Sequence, residues 1–197
     1  MSAKSVYSAR MTSPHASASP SPGIAPIRIR DAQPDDLDAL VALSRKTFTD
    51  KFGHLYRAED LASFLDAEHG RDVYETALAA PGNLLRVAET GDGALGAYLA
   101  CGKLTLPASD APPGCVELKR LYVDTPLQGR GLGTRFIEEA LDWARNEGAP
   151  AIYLSVFSEN DGAQRLYERF GFEKTDEFWF PVGDHRDLEF LMRRRLR

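Results

Sequence analysis

"YVDTPLQGRGLGTRFIEEAL" (residues 122–141) sets Gly129, Gly131 and Gly133 between a strand-like run and a helix-like one. Upstream, "CVELKRLYVD" (115–124) has the apolar alternation of a strand. Downstream, Leu132, Phe136, Ile137, Ala140, Leu141 and Ala144 fall on one helical stripe. A helix start carries free N–H groups and a positive dipole end, and glycines let an anion approach the backbone closely. "QGRGLGT" (128–134) therefore reads as a pyrophosphate cradle. The plain alternative is a glycine turn that serves only tight strand-to-helix packing. A P-loop would place Lys and then Ser or Thr after its last glycines, and Leu132, Gly133 and Thr134 supply no lysine. A dinucleotide fingerprint needs GxGxxG and an acid about 20 residues on. This stretch reads GxGxG, followed at that distance by Gly148, Ala149, Pro150 and Ala151. Nucleotide hydrolysis and NAD binding are both disfavoured.

The flanking chain alternates between strand and helix patterns. "IRIR" (27–30) predicts a half-buried strand, and "AQPDDLDALVALSRKTF" (32–48) a helix opened by Pro34 and two aspartates. Further helices are expected over "RAEDLASFLDAEHG" (57–70) and "RDVYETALAA" (71–80), the latter stopped by Pro81 and Gly82. "NLLRVAE" (83–89) and "ALGAYLACGKL" (94–104) predict strands joined by the hairpin signal "TGDG" (90–93). "LPASDAPPG" (106–114) reads as a loop, "AIYLSVF" (151–157) as a buried strand, and 161–170 as a short helix. "EKTDEFWFP" (173–181) and "DLEFLMRR" (187–194) complete the pattern as two strands with a turn around Val182, Gly183 and Asp184. The interleaving predicts one α/β domain with a mixed sheet.

With 197 residues, 43% hydrophobic and 27% charged, the chain is long enough for one well-buried core. Its formal net charge of -5 argues against nucleic acid or an anionic membrane surface as partner and suits a cationic small molecule. No apolar run approaches the roughly 20 residues of a membrane-spanning helix. Cys101 and Cys115 lack metal-ligand spacing, so no metal is expected; they fall on neighbouring predicted strands, where a disulfide between them is open. Residues 1–26, rich in Ser, Ala and Pro, are expected to form a disordered leader ahead of a domain over 27–197. Lys4 and Arg10 without any acidic residue leave two readings of it, a targeting segment or a plain tail with Met11 as an alternative start.

A second signature follows the first. "ENDGAQRLYERFGF" (159–172) sets Asn160 after the apolar strand, Ala163 and Tyr167 on one helical face, and Gly171 at the helix end before Phe172. Taken in order, Gln128, Gly131 and Gly133, then Asn160, Ala163, Tyr167, Gly171 and Phe172, resemble the two motifs of the GNAT superfamily of acetyl-CoA-dependent N-acetyltransferases. "ELKRLYV" (117–123) is similar to the family's central strand, and the likeness runs from about Ile27 to the C-terminus. The resemblance implies a single GNAT-like domain, with a central, mostly antiparallel twisted sheet of about six to seven strands flanked by helices.

It also implies site roles. Acetyl-CoA is the implied donor, its pantetheine arm and acetyl carbonyl held by the backbone of Leu121, Tyr122 and Val123 around a strand bulge. Its pyrophosphate is assigned to Gln128, Gly129, Arg130, Gly131, Leu132, Gly133 and Thr134, with Asn160 also on the donor side. Tyr167 is the implied acid beside the departing thiolate; a phenol of intrinsic pKa about 10 stays protonated at neutral pH. An attacking ammonium must lose a proton first, and Glu117 at the start of the central strand is the candidate base, the alternative being a solvent-facing strand glutamate. Tyr122 and His54 are the weaker alternatives as base, and the resemblance also implies that His54 touches the acceptor, the plain reading being a surface loop histidine.

The helix-linker segment and the C-terminal strands are similar to bacterial spermidine/spermine acetyltransferases, which makes a polyamine one expected acceptor. Asp50, Glu59, Asp60 and Asp66 are expected to attract it, or else to serve as helix-start and surface residues. Transfer to a small-molecule primary amine is the main reading. A protein N-terminal or lysine acetyltransferase and a non-catalytic CoA-binding sensor are the alternatives. A cytoplasmic location is expected, and the aromatic run "EFWFP" (177–181) is read as core packing or a homodimer face.

Overall fold

Alternating side chains and helical stripes assemble into seven strands and five helices in a computed structural model that describes residues 26–196. The expected leader over 1–26 lies outside those residues except for Pro26. The strands are β1 (Arg28–Asp31), β2 (Leu84–Glu89), β3 (Leu95–Lys103), β4 (Val116–Val123), β5 (Ala151–Phe157), β6 (Glu173–Val182) and β7 (His185–Arg195). The helices are α1 (Leu37–Phe52), α2 (Ala58–Glu68), α3 (Arg71–Ala79), α4 (Leu132–Asn146) and α5 (Asp161–Arg169). One mixed sheet takes the order β1-β2-β3-β4-β5-β7-β6. Every neighbouring pair is antiparallel except β4 and β5.

Both sheet faces are covered, so β3 and β5 are buried almost end to end, as strands of a three-layer sandwich must be. On one face, the predicted α4 stripe of Leu132, Phe136, Ile137, Ala140, Leu141 and Ala144 packs with Leu118, Leu121, Leu154 and Val156 of the sheet and with Leu166 and Tyr167 of α5. On the other, Leu40, Phe48 and Phe52 of α1, Phe64 of α2 and Tyr74 of α3 meet Tyr98, Tyr122 and Phe157. Fully buried rings such as Phe136 and Phe48 each contribute about 1.5–3 kcal/mol of apolar transfer.

The parallel β4–β5 pair positions the site. Its register holds only Val116 to Ile152 and Glu117 to Tyr153, after which the strands diverge. Residues 118–123 keep β3 as a partner on one side and turn an unlaced backbone edge toward β5 on the other. The β3–β4 register slips where Ala100 faces Arg120 and Cys101 faces Leu118, leaving Lys119 as the extra residue. The bulge thus precedes the expected 121–123 positions.

One open possibility closes and one reading divides. Cys101 and Cys115 are both buried and free, so the open possibility of a disulfide between them is not realised. The run 177–181 is split by strand alternation: Phe178 and Phe180 pack inward, while Trp179 is 61% exposed. No helix of the described residues is long and apolar enough to cross a membrane.

Candidate active site

The glycine turn is built by anchoring both its ends. Asp124 closes β4 with its N–H on the Gly96 carbonyl, accepts from Thr125 N–H, and receives Lys46 of α1 at 2.5 Å. A Cβ at Gly96 would run into the tip of the Leu127 side chain, which would have to shift. The Gln128 amide donates to the Val123 carbonyl at 3.0 Å, tying the turn back to the strand end. Gly129 and Gly131 adopt φ of 77° and 78°, the left-handed region that other residues enter at a cost. A Cβ at either would meet nothing within 4 Å, so backbone conformation rather than space selects glycine there.

Gly131 caps α4, and the first intrahelical bond runs from Arg135 N–H to Gly131 O. Leu132, Gly133 and Thr134 therefore present N–H groups outward at the positive end of the helix, with the Arg130 side chain exposed beside them. That arrangement fits a multiply charged phosphate and lies just beyond the mouth of the β4–β5 split.

Tyr167 lies on the α5 face, in the core cluster that also holds Leu121, Val123 and Val156. It is fully buried, packs edge-on to Phe172 at 5.7 Å, and burial pushes its phenol pKa well up. Tyr122 stands on the opposite face, stacked on Tyr98 at 5.3 Å. Its own pKa is raised chiefly by burial, and both Glu189 and Tyr167 add to the rise, which places all three in one electrostatic neighbourhood. Asn160 serves the fold: its side chain accepts from Ala163 N–H at the start of α5.

Glu117 is not the solvent-facing residue that strand alternation allows. Its side chain is 1% exposed, and Oε2 accepts from Thr105 N–H, Thr105 Oγ1 and Lys119 Nζ. Oε1 is buried with no hydrogen-bond partner among the described residues. Opposite Tyr153 in register, Glu117 marks the closed end of the split, on the face that carries Tyr122.

The acceptor-side residues differ from those expected. His54 is exposed on a short turn. Asp50, Asp60 and Asp66 are matched by Lys46, Arg57 and Arg45, which removes the acidic pocket proposed for them, and Glu59 is exposed in the first turn of α2. Two carboxyl groups of β7 are instead buried on the Tyr122 face. Asp187 and Glu189 are buried, and the half-buried Tyr56 donates to Asp187 Oδ2 at 2.5 Å. His185 Nε2 lies 3.2 Å from Asp187 Oδ1, and Glu189 pairs across the sheet with Phe157. The sequence signal for these residues was the strict inward alternation of Asp187, Glu189 and Leu191 on a strand.

Behind Tyr122 lies a second buried polar group. Arg120 donates to the Glu68 carbonyl at 2.7 Å and sits 5.8 Å over the Tyr74 ring, and Tyr74 bonds Tyr98 through their hydroxyls at 3.1 Å. His69, ringed by Phe48, Phe64 and Tyr122, is held well below its usual pKa by burial and by the charges of Arg120 and Arg45. No group of three His, Cys, Asp or Glu side chains disposed to hold a metal occurs among the described residues.

Known proteins share this fold. The model of the acetyltransferase (GNAT) family matches residues 38–172. The chain is 29% identical over 170 residues to an uncharacterized N-acetyltransferase from the pepI 3′ region of Lactobacillus delbrueckii subsp. lactis, covering 86% of this chain and 98% of the relative. It is 37% identical over 98 residues to the N-alpha-acetyltransferase RimI of Mycobacterium tuberculosis, across 50% of this chain and 57% of RimI. Among solved structures, PaiA N-acetyltransferase from Thermoplasma acidophilum, in complex with coenzyme A, superposes with a TM-score of 0.68 at 20% identity, covering 86% of this chain and 99% of PaiA.

Proposed function

The chain belongs to the GNAT acetyltransferase family, and from that premise we propose that it moves an acetyl group from acetyl-CoA to a primary amine of a cationic small molecule, of the polyamine class. The observation that carries this reading is the β4–β5 split, closed at one end by Glu117 and opening at the other onto the glycine turn. Acetyl-CoA supplies an activated thioester carbonyl. The N–H groups of Leu132, Gly133 and Thr134, with those of Gly129 to Gly131 and the Arg130 charge, suit its pyrophosphate. The backbone edge of Leu121, Tyr122 and Val123 offers hydrogen bonds to the pantetheine amides and to the carbonyl oxygen as negative charge develops there.

Attack is direct: a C–N bond forms, the C–S bond breaks, and the pair leaves on sulfur. Glu117 Oε1 takes the proton shed by the acceptor nitrogen, itself or through one water. Tyr167 donates a hydrogen bond to the departing thiolate. Because burial raises its pKa, it acts as a hydrogen-bond donor that keeps its proton rather than as a strong acid.

Asp187, Glu189 and Tyr56 support the cationic acceptor, since buried carboxylates on the Tyr122 face favour a positively charged guest. The identity to RimI over half the chain supports a second reading, acetylation of a protein N-terminus. Release of free CoA from acetyl-CoA, followed with polyamines, amino acids, aminoglycosides and peptides, separates the two. Turnover with polyamines is expected, and turnover confined to peptides would replace the first reading with the second.

A further inference from the structure

Arg169, Arg193, Arg194 and Arg195 line one cleft of about 440 Å3, together with Phe170, Gly171 and a single acidic residue, Glu173. The cleft lies at the start of β5, where Ala151 pairs with Arg195 and Ile152 with Arg194. The glycine turn lies past the far end of β4, which runs parallel to β5. At the rise of a strand the two are about 20 Å apart, so the cleft is separate from the site described above.

Its charge is not balanced locally. Arg193 is 17% exposed and held 3.3 Å from Asp110. Arg194 donates to the Phe170 carbonyl, and burial and the nearby Arg145 both work against its charged form. Among the described residues, no carboxylate lies within ion-pair distance of Arg169, Arg194 or Arg195, whereas Arg30, Arg57 and Arg86 all have one. A chain of net charge -5 thus lines one concavity with four arginines and one glutamate, and only Arg193 of the four has a carboxylate at ion-pair distance among the described residues.

We propose that this cleft is a second anion site that takes a small phosphorylated ligand of diphosphate size. Guanidinium groups match phosphate oxygens in pairs, and two half-buried arginines beside two exposed ones give both fixed and adjustable donors. A half-open cleft of this volume is the size of a small-molecule site. Such a ligand would bridge Arg169, at the end of α5, to Arg194 and Arg195 on β7. Phe170 and Phe172 both donate their N–H groups to the Tyr167 carbonyl, so the bridge would stiffen the end of the helix that carries Tyr167.

The test is calorimetric titration of inorganic pyrophosphate into the full chain saturated with CoA, which occupies the glycine turn on the reading above. One further pyrophosphate is expected to bind. The Arg169→Gln/Arg195→Gln pair, both exposed, should weaken that binding about tenfold or more, while Arg130→Gln leaves it unchanged. Hydrogen exchange at residues 170–173 should slow on binding in the wild type only. No binding at millimolar pyrophosphate would overturn the proposal. So would binding weakened by Arg130→Gln and not by the cleft pair, or binding seen with an oligonucleotide but not with pyrophosphate. If CoA itself fails to bind, the reading of the glycine turn fails, and the same variants tested without CoA still decide the cleft.

Discussion

Thr105 holds Glu117 twice, its N–H and its hydroxyl both donating to Glu117 Oε2, at 2.7 and 2.9 Å. This fixes the carboxylate and leaves Oε1 as the atom that can take a proton. Glu117→Gln keeps a carbonyl oxygen for both Thr105 donors and removes only the basic site. We expect kcat to fall about 100-fold or more, with Tm shifted by the loss of one partly buried ion pair to Lys119. An unchanged kcat in steady-state assays at saturating acetyl-CoA would remove Glu117 as the base.

Tyr167→Phe should lower kcat about 10- to 100-fold while leaving KM for acetyl-CoA within about twofold, because the hydroxyl acts on a charge that exists only as the C–S bond breaks. Equal losses in kcat and in CoA affinity, measured by titration, would make Tyr167 a packing residue instead.

Gly131→Ala places a Cβ in open space but on a backbone with φ of 78°, at a cost of about 1–2 kcal/mol. The turn relieves that strain by rotating, which turns its N–H groups away. KM for acetyl-CoA should rise about tenfold or more with a small drop in Tm. A stability loss without any change in KM would separate the turn from donor binding.

Glu189→Gln replaces a buried carboxyl group on the Tyr122 face while conserving shape. KM for a diamine acceptor should rise about tenfold, KM for acetyl-CoA should not move, and discrimination between a diamine and a monoamine of equal length should shrink. Equal effects on both amines would place Glu189 outside acceptor selection.

His69 stays neutral in the folded chain because burial, Arg120 and Arg45 hold its pKa well below 6.5. Below that pH the unfolded chain takes a proton that the folded chain refuses, so unfolding becomes favoured as pH falls. This contribution is full above pH 6.5 and is lost on acidification by up to about 1.4 kcal/mol per pH unit until the native pKa is reached. His69→Leu should flatten the Tm curve between pH 6.5 and 5. A wild-type curve that is already flat there would contradict the assignment.

The elements that carry strong local signals were legible in the sequence. Periodicity located the α4 stripe, and Pro, Gly and Asp punctuation located the turns around it. The glycines and the later Asn160 to Phe172 motif pointed to the family because each answers a local backbone demand, a left-handed turn or a helix cap. The acceptor side was not legible, since it depends on which strands meet. Asp50, Asp60 and Asp66 form an acidic group by proximity in sequence, yet each finds a basic neighbour on its own or an adjoining helix. Asp187 meets Tyr56 only across 131 residues of chain, and Glu189 reaches this face only through the docking of β7 beside β5. Glu117 looked equally suited to solvent or site until Thr105, from the loop after β3, closed over it.

The two-rung ladder between β4 and β5 makes the sheet mechanically two plates, β1 to β4 and β5 to β7, welded at Val116–Glu117 and Ile152–Tyr153. Beyond the weld, a donor whose amides bond the unlaced strand edge would stand in for missing rungs and act as a strut between the plates. Substrate and scaffold then share one load path, so the resistance of this sheet to shear rises each time the donor enters and falls each time CoA leaves.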